Sequence, residues 1–306
     1  MTAAVKNVAV LGATGSVGRN ALQVIAASEG RLRAAAISGR KRLGLLSELA
    51  AEFKPAFVVA TDAEAAEAHD WSTLPEGTQV HHGASALETV VADPSIDVVL
   101  ASIVGAAGLR STWAALEAGK QVALANKETL VMAGPLIGDL TERSGGQLLP
   151  VDSEHSAIFQ AMKAGAASEV ERLVLTASGG PFRTWPEAEL INVTVEDALA
   201  HPTWNMGPKI TVDSATLMNK ALELIEARWL FDVPAERLAV MIHPQSVIHS
   251  LVEFVDGSVV AQMGPPDMKL PIQYALDYPN RTAGPAERLD WTAAHALELL
   301  PADTDR

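Results

Sequence analysis

The stretch VAVLGATGSVG, Val8–Gly18, decides the fold. Its first five residues form a short apolar run of the kind that fills a buried strand. The run stops at Gly12, and further glycines follow at 15 and 18. A helix pattern then runs from about Val17 to Ser28. Glycines at a strand-to-helix turn let the backbone bend sharply and approach a pyrophosphate, which rests on the helix N-terminus. The spacing is G-x-x-G-x-x-G rather than the commoner G-x-G-x-x-G. A turn that merely needs small residues would read the same way, so the neighbouring elements decide.

Those neighbours alternate strand and helix. AAAIS (34–38), FVVA (57–60), IDVVLAS (96–102) and QVALAN (121–126) read as strands. LGLLSELAAEF (43–53), ASALETVVA (84–92) and LRSTWAALEAG (109–119) read as helices between them. Alternation at this spacing predicts α/β architecture: a Rossmann-type, doubly wound parallel sheet. GGQLLP (145–150) is its expected last strand, which places a domain boundary near Pro150. The second half changes character. Two Pro- and Trp-bearing loops, GGPFRTWPEAEL (179–190) and HPTWNMGPKI (201–210), precede one expected helix over Ser214–Phe231. Residues 242–264 read as paired strands around an Asp-Gly turn. The expected organisation is a nucleotide-binding Rossmann-like domain over 1–150, an α+β domain over 151–278, and a linker or tail over 279–306.

The chain has 306 residues, 48% of them hydrophobic, and a net charge of −14. That composition builds packed cores and does not suit a nucleic-acid binder, whose footprint is basic. It contains no cysteine, which excludes thiol nucleophiles, disulfides and thiolate metal sites. The longest apolar stretch, VVLASIVGAAGL (98–109), is too short to span a bilayer. No membrane or nucleic-acid partner is expected, and the default placement is cytoplasmic.

The second strand sharpens the nucleotide reading. An NAD site carries an acidic residue at that strand's end. Here the strand runs into Ser38-Gly39-Arg40-Lys41-Arg42. Successive cations suit a 2′-phosphate, which points to NADP, although a solvated basic start to a surface helix competes. Asn126, Lys127 and Glu128 follow another strand and should reach the same sheet edge. An ordinary helix N-terminus with Glu128 in its first turn is the plainer reading of those three.

VDSEHSAIFQ, Val151–Gln160, sets Asp152 and Glu154 two residues apart. In an extended segment both carboxylates share a face. Like charges that close raise each other's pKa unless a positive group lies between them. In the helix over 214–231, Leu217, Met218, Ala221, Leu224, Ile225 and Trp229 should face the core. Asn219, Lys220, Glu223 and Glu226 fall on another face, which by itself reads as solvated. Hydroxyls and amides at its start, with Asn219 and Lys220 one turn in, could hold a phosphate. His155 lacks a second histidine at metalloprotease spacing. His81 and His82 read as surface residues, His201 as a loop residue beside Trp204, and His243 and His249 as structural.

Together GATGSVG, ASIVGAAGL, LANKETLV, VDSEHSAIFQ, SGGPFR, HPTWNMGPKITVDSATLMNKALELIEARWLF and HPQSVIHS resemble the 1-deoxy-D-xylulose 5-phosphate reductoisomerase family. VDSEH with the MNKALELIEA helix is highly specific; the glycine turn alone is not. The resemblance implies an NADPH- and divalent-metal-dependent enzyme of non-mevalonate isoprenoid synthesis. It would rearrange 1-deoxyxylulose 5-phosphate and reduce the product to 2-C-methylerythritol 4-phosphate. It implies Asp152, Glu154 and Glu223 as ligands of Mg²⁺ or Mn²⁺, metals that an all-oxygen set suits. Ser178, Ser214, Asn219 and Lys220 would hold the substrate phosphate. Lys127 and Ser153 would contact substrate hydroxyls and carbonyl. His201 and Trp204 would lie on a lid, with Met206 and Gly207 near the nicotinamide. Thr14, Gly15, Ser16, Val17, Gly39, Arg40, Lys41, Asn126 and Glu128 would line the NADPH site. Lys127, Glu154, His201 and Glu223 would carry the catalysis, in a homodimer.

The family continues into a C-terminal helical domain, which this chain, ending at Arg306, is expected to lack. Two other classes compete. An NADP oxidoreductase of semialdehyde-dehydrogenase type needs a catalytic cysteine, and there is none. A non-catalytic NADP sensor would have no reason to keep three oxygen ligands split between a strand end and a helix.

Overall fold

The computed structural model describes residues 5–204 and 206–302. The chain forms two compact units, the first running up to Asp152 with Met268–Ala286 added, the second holding Ser153–Asp267 and the chain from Glu287 on.

The first unit is built on a seven-stranded sheet. Its strands are β1 (Lys6–Leu11), β2 (Leu32–Gly39), β3 (Phe57–Ala60), β4 (Gln79–His82), β5 (Val98–Ala101), β6 (Gln121–Leu124) and β7 (Gln147–Pro150). They lie in the order β4-β3-β2-β1-β5-β6-β7, and every pairing is parallel. Helices α1 (Ser16–Ala26), α2 (Leu43–Phe53), α3 (Ala63–Ala68), α4 (Ala86–Val91), α5 (Leu109–Glu117) and α6 (Lys127–Ser144) cross over between them. Val8, Ala9 and Val10 of β1 are fully buried, as are Val99 and Leu100 of β5. Such near-continuous apolar runs are what a sheet covered on both faces requires. The chain order reverses between β1 and β5, so ligands are expected at the carboxyl ends of those strands. The glycine turn, Gly39 and Asn126 all leave the sheet at that edge. His81 and His82 lie on β4, a strand too polar to read from its pattern.

Close approach explains the turn's composition. Gly12 has φ +82°, a conformation that a side chain disfavours. A Cβ on Gly18 would lie 2.3 Å from the Gly12 carbonyl oxygen. Only a glycine lets α1 start so near the end of β1.

The second unit holds α7 (Ser153–Ala161), β8 (Val170–Ala177), α8 (Val195–Leu199), α9 (Pro208–Ala215), α10 (Met218–Leu230), β9 (Leu238–Ile242), β10 (Ile248–Phe254), β11 (Val259–Met263) and β12 (Leu300–Pro301). Its sheet order is β11-β10-β8-β9-β12. β10 and β11 form the expected hairpin, with Gly257 at φ +83° in the turn. Ile158, Ala161, Val170, Leu173, Leu175, Ala227, Val233, Val252 and Phe254 make one core between helices and sheet.

Two expectations for this unit are corrected. The helix over 214–231 is two helices, because Leu217 takes a left-handed conformation at φ +57° between α9 and α10. The face of α10 is also reversed in part: Leu224 packs on the core as expected, but other positions are exchanged. Met218, Ile225 and Trp229 are 52%, 43% and 37% exposed, whereas Lys220, Glu223 and Glu226 are 5%, 0% and 1% exposed. Apolar spacing alone predicts the opposite.

The segment from Met268 returns to the first unit as α11 (Lys269–Asp277). Polar contacts hold it there. Arg31 Nη1 donates to both carboxylate oxygens of Asp277 at 2.8 and 2.7 Å. Lys6 Nζ donates to the Leu276 and Tyr278 carbonyls, and Gln121 Nε2 to that of Ala275. Burial pulls the Lys6 ammonium below its ordinary pKa, against the opposing charge of Asp277. The tail beyond is not idle chain, since Leu300–Pro301 pairs with β9.

Gly18→Ala should therefore destabilise the first unit by about 1–3 kcal/mol, the usual cost of forcing atoms into a packed site. Denaturant unfolding checks this, and an unchanged midpoint would contradict it.

Candidate active site

In the first unit, Thr14 is buried, Gly15 precedes α1, and Ser16 and Val17 open its first turn. The backbone N–H groups here are the unpaired donors of a helix start. Gly39 ends β2 in close contact with Thr14, and a Cβ there would touch the Thr14 methyl at 3.3 Å. The three cations that follow divide the work. Arg42 donates to the Thr14 carbonyl and so ties the two turns together. Arg40 and Lys41 remain exposed at the same sheet edge.

Asn126 caps α6. Its Oδ1 accepts from the Thr129 backbone N–H at 2.9 Å, and its Nδ2 donates to the Ile103 carbonyl at 2.6 Å and to Glu128 at 3.0 Å. The residue is thereby a bracket between the ends of β5 and β6. Lys127, beside it, is buried and forms an ion pair with Asp152. Neither is a solvated helix-start residue.

Asp152 closes the first unit, and Ser153 opens the second. Glu154 lies in the first turn of α7 rather than in an extended segment, which corrects the expected geometry. A positive group stands beside each of the two carboxylates: Lys127 beside Asp152 and, beside Glu154, Lys220. Its Nζ donates to Glu154 Oε1 at 2.7 Å and to Glu223 Oε2. Burial works to lower the Lys220 pKa, but the charges and hydrogen bonds of Glu154 and Glu223 outweigh it, so the ammonium is held above its ordinary range. Asn219 Nδ2 donates to Glu223 Oε1 at 2.6 Å, and Ser153 Oγ to Glu154 Oε2 at 2.5 Å. Glu154 and Glu223 each present an oxygen within 4.8 Å of the other's. Two carboxylates that near, with oxygen donors alone, fit a hard divalent cation. Asn219 Oδ1, buried and without a donor among the described residues, adds another oxygen beside them.

Sequence reasoning passed over the layer beneath. His155 is fully buried, and its Nε2 donates to the Glu223 carbonyl at 2.9 Å. Its Nδ1 faces Glu226 Oε2 at 3.5 Å. The Nε2 hydrogen bond ties the imidazole to the helix that carries Glu223. Two glutamates three residues apart on one helix face, opposite a helix bearing histidine, were the available signal.

Ser178 stands at the end of β8. Gly179 and Gly180 follow at φ +82° and +69°, and a Cβ on Gly180 would lie 2.6 Å from the Ser214 carbonyl oxygen. The paired glycines bring the Ser178 turn against the last turn of α9, where Ser214 sits. His201 Nδ1 accepts from the Thr203 and Trp204 backbone N–H groups at 3.1 and 2.9 Å. Its Nε2 therefore carries the hydrogen and donates to Ser178 Oγ at 2.9 Å. Ser178 Oγ also accepts from Gly180 N, which leaves its own hydrogen to donate outward. Trp204 lies 6.2 Å from the His249 ring, and Met206 and Gly207 lead into α9. His243 is structural as expected, with Nε2 accepting from the Val247 and Ile248 N–H groups.

A nucleotide edge on one unit and an acid–lysine centre on the other define the class as a metal-dependent nicotinamide-nucleotide oxidoreductase. Family comparison narrows this. The family model described as 1-deoxy-D-xylulose 5-phosphate reductoisomerase matches residues 8–134. The models of that family's C-terminal domain match residues 148–231 and 263–306. The 1-deoxy-D-xylulose 5-phosphate reductoisomerase of Geobacter metallireducens is 51% identical over 301 residues, covering 98% of this chain and 78% of the relative. A crystal structure of DOX-P reductoisomerase in complex with NADPH, fosmidomycin and magnesium superposes with a TM-score of 0.92 at 43% identity, covering 98% of this chain and 76% of that one. The enzyme from Zymomonas mobilis in complex with NADPH gives 0.89 at 42% identity, over 99% and 78% of the two chains. The chain belongs to the 1-deoxy-D-xylulose 5-phosphate reductoisomerase family.

Burial pushes the His201 pKa down. The neutral ring contributes to the loop's stability above the ordinary histidine midpoint, and that contribution is lost as pH falls below it. NMR titration of the ring should give a midpoint below that of a free histidine. A midpoint at or above that value would contradict the Nδ1 contacts.

Proposed function

We propose that this chain converts 1-deoxy-D-xylulose 5-phosphate to 2-C-methyl-D-erythritol 4-phosphate, with NADPH and a divalent metal. The observation that carries the reading is the buried Glu154–Lys220–Glu223 centre on a chain about 50% identical to named reductoisomerases. The magnesium and NADPH named with the related structures support the cofactors.

Asp152, Glu154 and Glu223 hold the metal, which when bound polarises the substrate oxygens as a Lewis acid. Ser178, Ser214, Asn219 and Lys220 hold the phosphate by charge-assisted hydrogen bonds. Lys127 and Ser153 position the substrate hydroxyls and carbonyl. His201, joined to Ser178 through Nε2, brings Trp204 over the substrate and excludes water. NADPH supplies hydride. Its pyrophosphate rests on the turn from Thr14 to Val17, with Gly39, Asn126 and Glu128 around it. Arg40 and Lys41 take the 2′-phosphate, and Gly207 borders the nicotinamide. Lys127, Glu154, His201 and Glu223 are the catalytic residues of this reading.

Mn²⁺ should replace Mg²⁺, since both suit the same oxygen donors. The protein works in the cytoplasm, where NADPH is supplied, as a step of isoprenoid synthesis. A homodimer accounts for the exposed Met218, Ile225 and Trp229 of α10, an apolar stripe of the kind that marks contact surfaces.

Two measurements test this. Oxidation of NADPH should require both the pentulose phosphate and a divalent metal. With Glu223→Gln, the metal needed for half-maximal rate should rise at least about tenfold and kcat should fall, because a charged ligand is lost. Superimposable metal titrations of variant and parent would refute the metal site. Separately, Arg40→Glu with Lys41→Glu should cut the NADPH-over-NADH preference in kcat/KM by roughly tenfold to a hundredfold. An unchanged ratio would refute the 2′-phosphate role.

A further inference from the structure

The donors that surround Glu154 and Glu223 carry an inference about how metal and substrate binding are linked, and it rests on the metal reading above. Each of the four carboxylate oxygens has a donor. Ser153 Oγ takes one, Asn219 Nδ2 another, and Lys220 Nζ the remaining two. These are the same residues that the proposed function assigns to the substrate. Lys220 is buried to 5% exposure, so its ammonium has no water shell to fall back on. Its charge is balanced by the two carboxylates beside it.

A divalent ion on those carboxylates would change that balance. It would take lone pairs that Lys220 and Asn219 now use. It would also set a double positive charge next to a buried ammonium, where repulsion is far stronger than in water. The side chain with the most freedom to leave is the lysine.

We propose that Lys220 is a placeholder cation: it bridges Glu154 and Glu223 and offsets part of their charge in the metal-free protein, and is released to the substrate phosphate when a divalent ion takes them. One ammonium cannot serve both roles at once. Metal and phosphate therefore assist each other's binding, and by linkage each raises the other's affinity by the same factor. In the metal-free protein the carboxylates engage the ammonium, and phosphate is held weakly. Asn219 moves in the same exchange, because its amide is bound to the Glu223 oxygen that the metal would use.

The test measures binding and not turnover. Calorimetry on the full chain follows Mg²⁺ binding with and without saturating inorganic phosphate, at matched free Mg²⁺. The parent protein should bind Mg²⁺ at least about fivefold more tightly when phosphate is present. Lys220→Met removes the placeholder, so it should bind Mg²⁺ roughly tenfold more tightly than the parent without phosphate, and phosphate should then add nothing. Lys220→Gln, which keeps a polar head without charge, should also bind more tightly than the parent. If both variants bind Mg²⁺ no better than the parent, the placeholder role is wrong. If the parent gains nothing from phosphate, it is wrong regardless of how the variants fold. Glu223→Gln separates the two ideas. Where it leaves Mg²⁺ binding unchanged, the metal reading falls and this inference with it. Where it weakens Mg²⁺ binding while Lys220→Met fails to strengthen it, only the placeholder falls.

Discussion

Lys220 Nζ is buried between the carboxylates of Glu154 and Glu223, and much of the second unit is arranged so that this can happen. An ammonium and two carboxylates removed from water are costly unless they are paired and hydrogen-bonded. Here Asn219 and Ser153 supply the additional donors, and His155 holds the Glu223 carbonyl from below. The charged residues of α10 are turned inward to make the cluster, and Met218, Ile225 and Trp229 are turned out. Removing either partner of such a cluster would strand a buried charge at a cost of about 3–5 kcal/mol. A cluster with that cost and no structural need is the mark of a functional site.

The left-handed residue Leu217 follows from the same constraint. It caps the start of α10, one residue before Met218 and two after the end of α9. The Ser214 carbonyl then lies against the Gly180 turn, while Lys220, in the first turn of α10, reaches Glu154 of α7. A single straight helix through 214–231 would fix the two groups of side chains on one unbroken spiral.

The parallel sheet was legible because it obeys simple rules. Its strands are buried on both faces, its helices carry ordinary apolar stripes, and the glycines at 12, 15 and 18 mark the turn. The helix over 43–53 falls on its expected residues. The second unit was legible in its motifs and less so in its form. Periodicity placed Ile225 and Trp229 inward and Glu223 and Glu226 outward, because pattern rules assume that charge seeks water. That assumption fails where charges neutralise one another. The short polar strand β4 gave no pattern, and α7 starts at Ser153, so Glu154 lies inside a helix and not in the extended segment the pattern suggested. The return of 268–286 to the first unit rests on Arg31–Asp277 and Lys6, contacts separated by more than two hundred residues that no local signal records.

The metal reading of the carboxylates is the claim on which the catalytic account turns. Anomalous diffraction from crystals grown with Mn²⁺ tests it directly. The account predicts a manganese peak within coordination distance of Glu154 and Glu223, with the Lys220 ammonium drawn away from both. Crystals showing no peak at these carboxylates, with Lys220 still seated between them, would contradict it.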